Sequence, residues 1–452
     1  MAALDTNVTT LQTAALDKIV KNLGELAKSI ASRFCCGGTL TSPDQVKLVY
    51  ENGGIGWSSA TFPGAEEMAV QRLLDVCSVA SFGVGSEEVT DRSYRDAFQL
   101  DPKRFMTSFQ LCDTPILGEI QKLMMPDVCS SIRAELYKLN VYTGPGGHFK
   151  VHVDTPRSNQ MFGSLVVCLP SQFTGGALVT RHQGQEVRFD WSSSPQSPMQ
   201  KVSWAAFFSD VEHEVLPVSD GYRFTLTYNL YCVHKQDVMP TISITPSPFC
   251  RELRAAVNNP HFMRDGGVLG FSCHHEYVFQ DLNCTEDLPC LLKGADNIVY
   301  VAAKSLGLLV IVKPVTDSNA YITDRYVLPK FAEFLSEDYY CDFECEDNAG
   351  DQMIAGLYGR VFLDKSITWC QELDHFQPAA TYIAYGNEPS SLALYHAAAI
   401  LVGVPKWDKR QALEMQHSTC DSETLEPSSK KPKKNGDDTY GGPDMEELLE
   451  YD

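Results

Sequence analysis

His152 and Asp154 stand two residues apart in Val151-His152-Val153-Asp154-Thr155, a run rich in β-branched residues. A strand turns successive side chains to opposite faces, so this imidazole and this carboxylate share one side. They supply two of the three groups of a non-haem iron site. There, two His and one carboxylate hold one face of an octahedral ion and leave positions open. A His-x-Asp pair alone is common. The chemistry needs a second His and a group that holds a cosubstrate.

His213, at the head of the strand-like HEVLPV, is the candidate second His. Its flanks Glu212 and Glu214 also fit a plain surface histidine. Arg223 follows ten residues later in GYRFTLTY. A hairpin through Ser219-Asp220-Gly221 would bring His213 and Arg223 to one end of a barrel. A guanidinium there can hold a carboxylate through two parallel hydrogen bonds. Thr225 shares the Arg223 face and could add a hydroxyl donor. Tyr142, ten residues before His152, could add a phenol. Both also fit as ordinary strand residues.

Other candidates compare less well. His148 lies four residues before His152, the spacing of a helical zinc pair. The preceding TGPGG and the β-branched residues beyond instead imply a strand, which separates the two rings. His148, Phe149 and Arg157 are candidates for facing a substrate. His182 reads as a turn residue. His274 and His275 point to opposite faces, with no Cys or carboxylate partner nearby. Cys341 and Cys345 lie in the acidic run CDFECEDNAGD, which lacks EF-hand spacing.

Short strands must position the triad. From 131 to 235 the chain reads AELYKLNVYT, FKVHV, GSLVVCL, ALVTR, EVRFD, VSWAAFF, HEVLPV and YRFTLTYNLYCV, most of them separated by Gly, Pro, Ser or Asn. This spacing implies a barrel or jelly-roll sandwich, mainly antiparallel because no crossover helix fits between strands. His182-Gln183-Gly184 marks a hairpin. Upstream, apolar periodicity implies helices over 8–34, 64–80 and about 114–135, the first ended by Cys35-Cys36-Gly37-Gly38, with a strand at 46–51. Residues 81–105 read as a solvated loop and helix, or as a lid. Downstream, GGVLGFSCHH reads as a strand, LKGADNIVYVAAKSLG as a strand or helix, and PKFAEFLSE as a helix. The apolar stretch 391–404 reads as a buried helix.

The expected fold class is therefore α+β, with four regions. They are an N-terminal helical or mixed region (1–130), a barrel (131–235), a mixed α/β region (236–410) and a disordered tail (411–452). At 452 residues, with 44% hydrophobic and 21% charged, the chain is globular and implies two or more domains. A formal net charge of −21 disfavours nucleic acid and anionic lipid as partners. No apolar run reaches a membrane span, and the N-terminus lacks a secretory pattern. The expected location is intracellular, cytoplasmic or nuclear. The 15 Cys include no CxxC pair and read as buried free thiols. In the tail, Lys430-Lys431-Pro432-Lys433-Lys434 reads as a nuclear import address or a solvated charge cluster. The final DMEELLEYD reads as a solvated terminus or a docking helix.

Residues 131–235 resemble the iron(II)- and 2-oxoglutarate-dependent dioxygenases of the prolyl 4-hydroxylase type. The matching elements are Tyr142 with TGPGG, Phe149, His152-Val153-Asp154, His213 and Arg223. The wider wording, in HFKVHVDTPRS, GGALVTRHQG, LKGAD and YGNEPSSLALYHAAAILV, is similar to a fungal branch, with the likeness running from about 80 to 405. One departure is Arg223, where collagen-type prolyl hydroxylases carry Lys. The resemblance implies a double-stranded β-helix core. It implies Fe(II) held by His152, Asp154 and His213, and 2-oxoglutarate held by Arg223 with Tyr142 and Thr225. O₂ is the further cosubstrate, and ascorbate is a possible reductant. The implied reaction hydroxylates a C–H bond of a protein side chain, prolyl-type, or of a small molecule, with release of succinate and CO₂. Asp154 argues against halogenation, which needs that carboxylate replaced. The rivals are a non-catalytic metal-binding interaction protein and a zinc or manganese cupin-like enzyme.

Overall fold

Strand-forming runs broken by Gly, Pro and Ser fold into two antiparallel sheets that carry the chemistry-bearing residues. The computed structural model describes residues 2–30, 33–41, 45–53, 56–125, 131–158, 160–192, 201–233, 247–278, 291–319, 322–327, 362–363, 367–371, 381–382, 385–389 and 394–410. Over these the fold is mixed α+β, and its sheets are mostly antiparallel.

The larger sheet runs, neighbour to neighbour, Cys35–Thr41, Lys201–Phe208, Met161–Cys168, Val218–Val233, Ser131–Thr143, Phe98–Leu100 and Ser78–Val79. Phe173–Gly175 also pairs with Val218–Val233. The smaller sheet runs Gln185–Phe189, Leu178–His182, Glu212–Val215, His148–His152 and Arg95–Asp96. The chain crosses repeatedly from one sheet to the other through short connections. Contacts across the gap put the sheets face to face. Thr180 Oγ1 donates to Cys35 Sγ at 3.5 Å, and the Phe207 and His213 rings are 4.4 Å apart.

Cross-strand partners share a face. Tyr142 lies opposite Arg223, Asn140 opposite Thr225, and Ser164 opposite Asn229. These residues make the inner face of the larger sheet a buried polar strip. The alternate residues Phe224, Leu226 and Leu230 turn outward and are also buried, with Phe62 4.7 Å from Phe224 ring to ring. Val218–Val233 is thus covered on both sides. Its outer face contributes about 2 kcal/mol per large apolar side chain, while its inner face is free to carry polar groups.

The strands expected over 131–235 form, as does the hairpin at His182. Gln183 and Gly184 take φ of 47° and 75° there, the positive pair that a two-residue hairpin turn requires. Elsewhere the elements differ from the sequence reading. Cys35–Thr41 does not end a helix; it is a strand at the edge of the larger sheet, and the helix before it stops at Lys28. Gly37 suits this place, because a Cβ there would lie 2.7 Å from the Trp204 carbonyl oxygen. Residues 81–105 are not a loop and helix. They form the hairpin Phe82–Val84/Glu87–Val89, then one short strand for each sheet. The third expected helix is only Ile116–Met124, and a strand begins at Ser131.

In the C-terminal region a third sheet runs Phe362–Leu363, Ile322–Val327, Leu309–Asn319, Ala398–Val404, Gly267–Ser272 and Ile367–Trp369, with its last pair parallel. Gly294–Ser305 is helical. The stretch read as a buried helix is instead the strands Leu394–His396 and Ala398–Val404. An apolar run buried on both faces looks alike in either form. Here Ile400, Val402 and Val404 favour the strand, and pairing on both edges fixes it. The cysteines of the described residues are free thiols. No described helix is long and apolar enough to cross a membrane. PKFAEFLSE, Cys341, Cys345, Lys430–Lys434 and the acidic terminus lie outside the described residues.

Candidate active site

His152 and His213 are direct partners across adjacent antiparallel strands, with ring centroids 4.1 Å apart. His152 Nδ1 donates to the Lys150 carbonyl at 2.8 Å, and His213 Nδ1 to the Val211 carbonyl at 3.0 Å. A carbonyl only accepts, so each Nδ1 holds the proton and each Nε2 keeps a free lone pair. Metal-ligating histidines need that tautomer. Burial, and next the neighbouring His213, holds the His152 imidazole well below its ordinary value and therefore neutral.

Asp154 completes the group. His152, Asp154 and His213 offer ligand atoms all within 4.8 Å of one another. They are 5%, 3% and 6% exposed. His213 Nε2 lies 3.8 Å from Asp154 Oδ1, a separation suited to two donors that share an ion. Ser164 Oγ donates to Asp154 Oδ2 at 2.5 Å, and Asn387 Nδ2 donates to Oδ1 at 2.7 Å. Asn387 Oδ1 in turn accepts from the Thr155 N–H at 2.9 Å, and Tyr395 donates its hydroxyl to the Asp154 carbonyl at 2.9 Å. The Asp154 carboxylate is thus oriented from the larger sheet and from the C-terminal region together. Gly83 permits this approach, since a Cβ there would lie 2.0 Å from the Glu388 carbonyl oxygen.

Arg223 is fully buried on the inner face, and none of its three nitrogens makes a hydrogen bond among the described residues. Its guanidinium carbon lies 5.3 Å from the ring centres of both Tyr142 and Trp191. Aromatic faces attract a cation but leave its N–H groups unmet. An unpaired buried charge costs several kcal/mol, so the site is chemically incomplete without an anion. Gly176, at φ +66°, makes room: a Cβ would stand 3.0 Å from Arg223 Cδ. Thr225 is buried opposite Asn140, on the same face as Arg223.

Of the remaining candidates, His148 and Arg157 fall elsewhere. His148 directs both ring nitrogens at backbone carbonyls, those of Gly146 and Ser93. Phe149 instead stacks on His152, 3.5 Å apart and tilted 22°. A bulge between Phe149 and His152 explains the exchange, since one extra residue reverses the alternation. Arg95 lies 4.3 Å from the Phe149 ring centre. Arg157 bonds Glu388 at 2.5 Å and lies 4.6 Å from the Tyr137 ring centre.

His275 does have a carboxylate partner, contrary to the sequence reading. Its Nδ1 donates to Asp210 Oδ2 at 2.9 Å, and Lys293 Nζ to Asp210 Oδ1 at 2.8 Å. Burial pushes the Asp210 carboxyl up, but Lys293 and His275 outweigh it and hold it well below the usual range. His182, Asp210 and His275 also have ligand atoms within 4.8 Å. Here, however, the ammonium of Lys293 already serves as the cation, and the two rings stack at 4.4 Å. Sequence spacing gave no sign of Asn387, Lys293 or Asp210, whose partners lie far away in the chain.

Residues 137–231 match the family model of the 2OG-Fe(II) oxygenase superfamily, and this stretch contains His152, Asp154, His213 and Arg223. No curated protein sequence matches the chain. Similar solved structures include prolyl hydroxylases. A Pseudomonas putida prolyl-4-hydroxylase is 16% identical over 47% of this chain and 99% of its own, with a TM-score of 0.26. A Trichoplax adhaerens prolyl hydroxylase, solved with a hypoxia inducible factor oxygen degradation domain peptide, is 14% identical. It covers 49% of this chain and 93% of its own, with a TM-score of 0.27.

Two outcomes follow from this geometry. Asn387→Ala should weaken divalent-metal binding about tenfold, through a carboxylate left free to turn, as read by calorimetric titration with Mn(II). Unchanged affinity would show that Asn387 does not orient Asp154. The second concerns pH. Burial holds His152 and His182 below the ordinary value and takes His274 down to about 4. Below pH ~6.5 the unfolded chain therefore binds protons that the folded one refuses. Glu276, raised by burial to about 7, opposes them: its contribution is present at low pH and lost as pH rises through 7. Asp296, also raised by burial, acts in the same direction as Glu276. The three histidines outweigh the two carboxyls, so the metal-free protein should unfold at lower urea concentration at pH ~5 than at ~7. A midpoint that rises on acidification contradicts the neutral histidines.

Proposed function

We propose that this protein is an Fe(II)- and 2-oxoglutarate-dependent oxygenase that hydroxylates a C–H bond, in a protein side chain of the prolyl type or in a small molecule. The observation that carries this reading is Arg223, a buried cation with no hydrogen-bond partner, on the inner face that also supplies Ser164 to Asp154. A dicarboxylate that also chelates the metal would satisfy both needs at once. The two facing sheets are then the two halves of a double-stranded β-helix, with 131–235 as its central portion. Residues 1–130 and 236–410 would flank it.

His152 Nε2, His213 Nε2 and the Asp154 carboxylate would hold Fe(II). Arg223 would take the distal carboxylate of 2-oxoglutarate, with the Tyr142 phenol and the Thr225 hydroxyl beside it. When bound, the iron couples O₂ reduction to oxidation of 2-oxoglutarate to succinate and CO₂ and to hydroxylation of the substrate. The chain's own groups keep this chemistry in place. The Lys150 and Val211 carbonyls fix the imidazole tautomers, and Ser164 and Asn387 fix the carboxylate. Phe149 and Phe207 cover the imidazoles and exclude water. A non-catalytic interaction protein or a zinc cupin has no use for an unmatched guanidinium inside the barrel.

Arg223→Met discriminates among these readings. Its 2-oxoglutarate affinity should fall on the order of a hundredfold or more, as read by the anaerobic visible band of the Fe(II)–2-oxoglutarate complex. Its Fe(II) affinity should be nearly unchanged, as read by anaerobic calorimetric titration without the cosubstrate. Succinate release with ascorbate present should fall with the 2-oxoglutarate affinity. Because the variant removes an unpaired buried charge, its metal-free form should melt no lower than the wild type. Fe(II) and 2-oxoglutarate affinities that fall together would show that Arg223 is not the cosubstrate clamp.

A further inference from the structure

A cleft of about 880 Å³ opens beside the triad. His152 and Val151 line it from one strand, the His182–Gln185 hairpin from another, and Glu276 and Tyr385 from the C-terminal region. Its charges are unbalanced. The Asp210 carboxylate is taken by Lys293, and Glu186 by Arg181 at 2.8 Å. Arg181 also bonds Glu214 at 2.6 Å. Glu212 and Glu276, both in the lining, make no ion pair among the described residues. Tyr385 stacks one ring face on Tyr94, 4.6 Å away at 18°, and remains 44% exposed.

The Glu212 carboxylate is exposed, and Glu276, which burial raises to about 7, would be held ionised by a neighbouring cation. Both line the same cleft as an open phenol ring. They suit a Lys or Arg side chain, through charge-assisted hydrogen bonds and a cation–π contact. The net charge of −21 steers a cation in the same direction. Two features favour a polypeptide over a small cation. The cleft has room for several side chains. Gln185–Phe189 is an edge strand of the smaller sheet, and its first residues, Gln185 and Glu186, line the cleft. An extended backbone can pair with such an edge while its side chains enter pockets.

We propose that this cleft binds an extended, lysine- or arginine-bearing polypeptide segment, held by Glu212, Glu276 and the open face of Tyr385 and passing His152. This rests on the oxygenase reading and names the class of substrate for it. The residue oxidised would lie beside a basic one.

The test is fluorescence anisotropy with a labelled lysine-rich peptide carrying a central proline, and with a copy in which every lysine is glutamate. The full chain, loaded anaerobically with Fe(II) and 2-oxoglutarate, should bind the lysine peptide at least tenfold more tightly. That preference should shrink as salt rises. Glu276→Gln and Glu212→Gln should each weaken the lysine peptide several-fold. The double variant Glu212→Lys/Glu276→Lys should bind the glutamate peptide better than the lysine one. Equal affinity for the two peptides, no effect of the substitutions, or competition by free arginine as effective as by unlabelled peptide would overturn the proposal. The Fe(II)–2-oxoglutarate band, read on the same samples, separates the two levels. A band without peptide preference defeats only this inference, and absence of the band defeats the oxygenase reading itself.

Discussion

A guanidinium enclosed by protein must find an anion, or its desolvation weighs on the whole fold. Arg223 is that group here. It rises from the longest strand of the larger sheet between two aromatic rings, and glycine at 176 clears its path. Its surroundings are arranged to keep water out without satisfying the charge. The polar inner strip runs from Arg223 and Tyr142 through Asn140 and Thr225 to Ser164, which bonds Asp154. The proposed anion site and metal donors therefore lie along one continuous buried surface. This places a chelating dicarboxylate more readily than two separate ligands.

The triad depends on more than its own strands. The loop from Ser209 to Val211 is its pivot. Ser209 accepts from the Asp154 N–H, and Val211 accepts from His213. Asp210, between them, is bound by Lys293 and His275 of the C-terminal region. That region also sends Asn387 and Tyr395 to Asp154. The segment 78–100 adds two strands to the larger sheet and one to the smaller, and brings Arg95 against Phe149. Residues far outside 131–235 thus share in fixing the geometry of the triad, and the C-terminal region also lines the cleft through which a substrate would approach.

Much of this was legible in the chain itself. The strands over 131–233, the shared face of His152 and Asp154 and the inward turn of Arg223 follow from period-two alternation. The hairpin expected at Ser219-Asp220-Gly221 does not form. Those residues lie inside Val218–Val233 of the larger sheet, while His213 sits on Glu212–Val215 of the smaller one, so His213 and Arg223 stand on facing sheets. The failures have physical causes. A one-residue bulge turns Phe149 onto the His152 ring and leaves His148 on backbone carbonyls. This splits two residues that the sequence reading grouped as substrate-facing, and alternation cannot foresee a bulge. Ala398–Val404 is apolar on every side because neighbours cover both faces, so its periodicity could not tell strand from helix. Cys35–Thr41 and Arg95–Asp96 became strands only because existing edges captured them. Asn387 and Asp210 act through partners that tertiary folding alone brings near.

The most direct measurement of the account is anomalous diffraction at the iron edge from crystals grown anaerobically with Fe(II) and 2-oxoglutarate. The account predicts iron bound by His152, Asp154 and His213, with a carboxylate of 2-oxoglutarate on the Arg223 guanidinium. Iron at His182, Asp210 and His275 instead, or an Arg223 still without an anion beside an occupied triad, would contradict it.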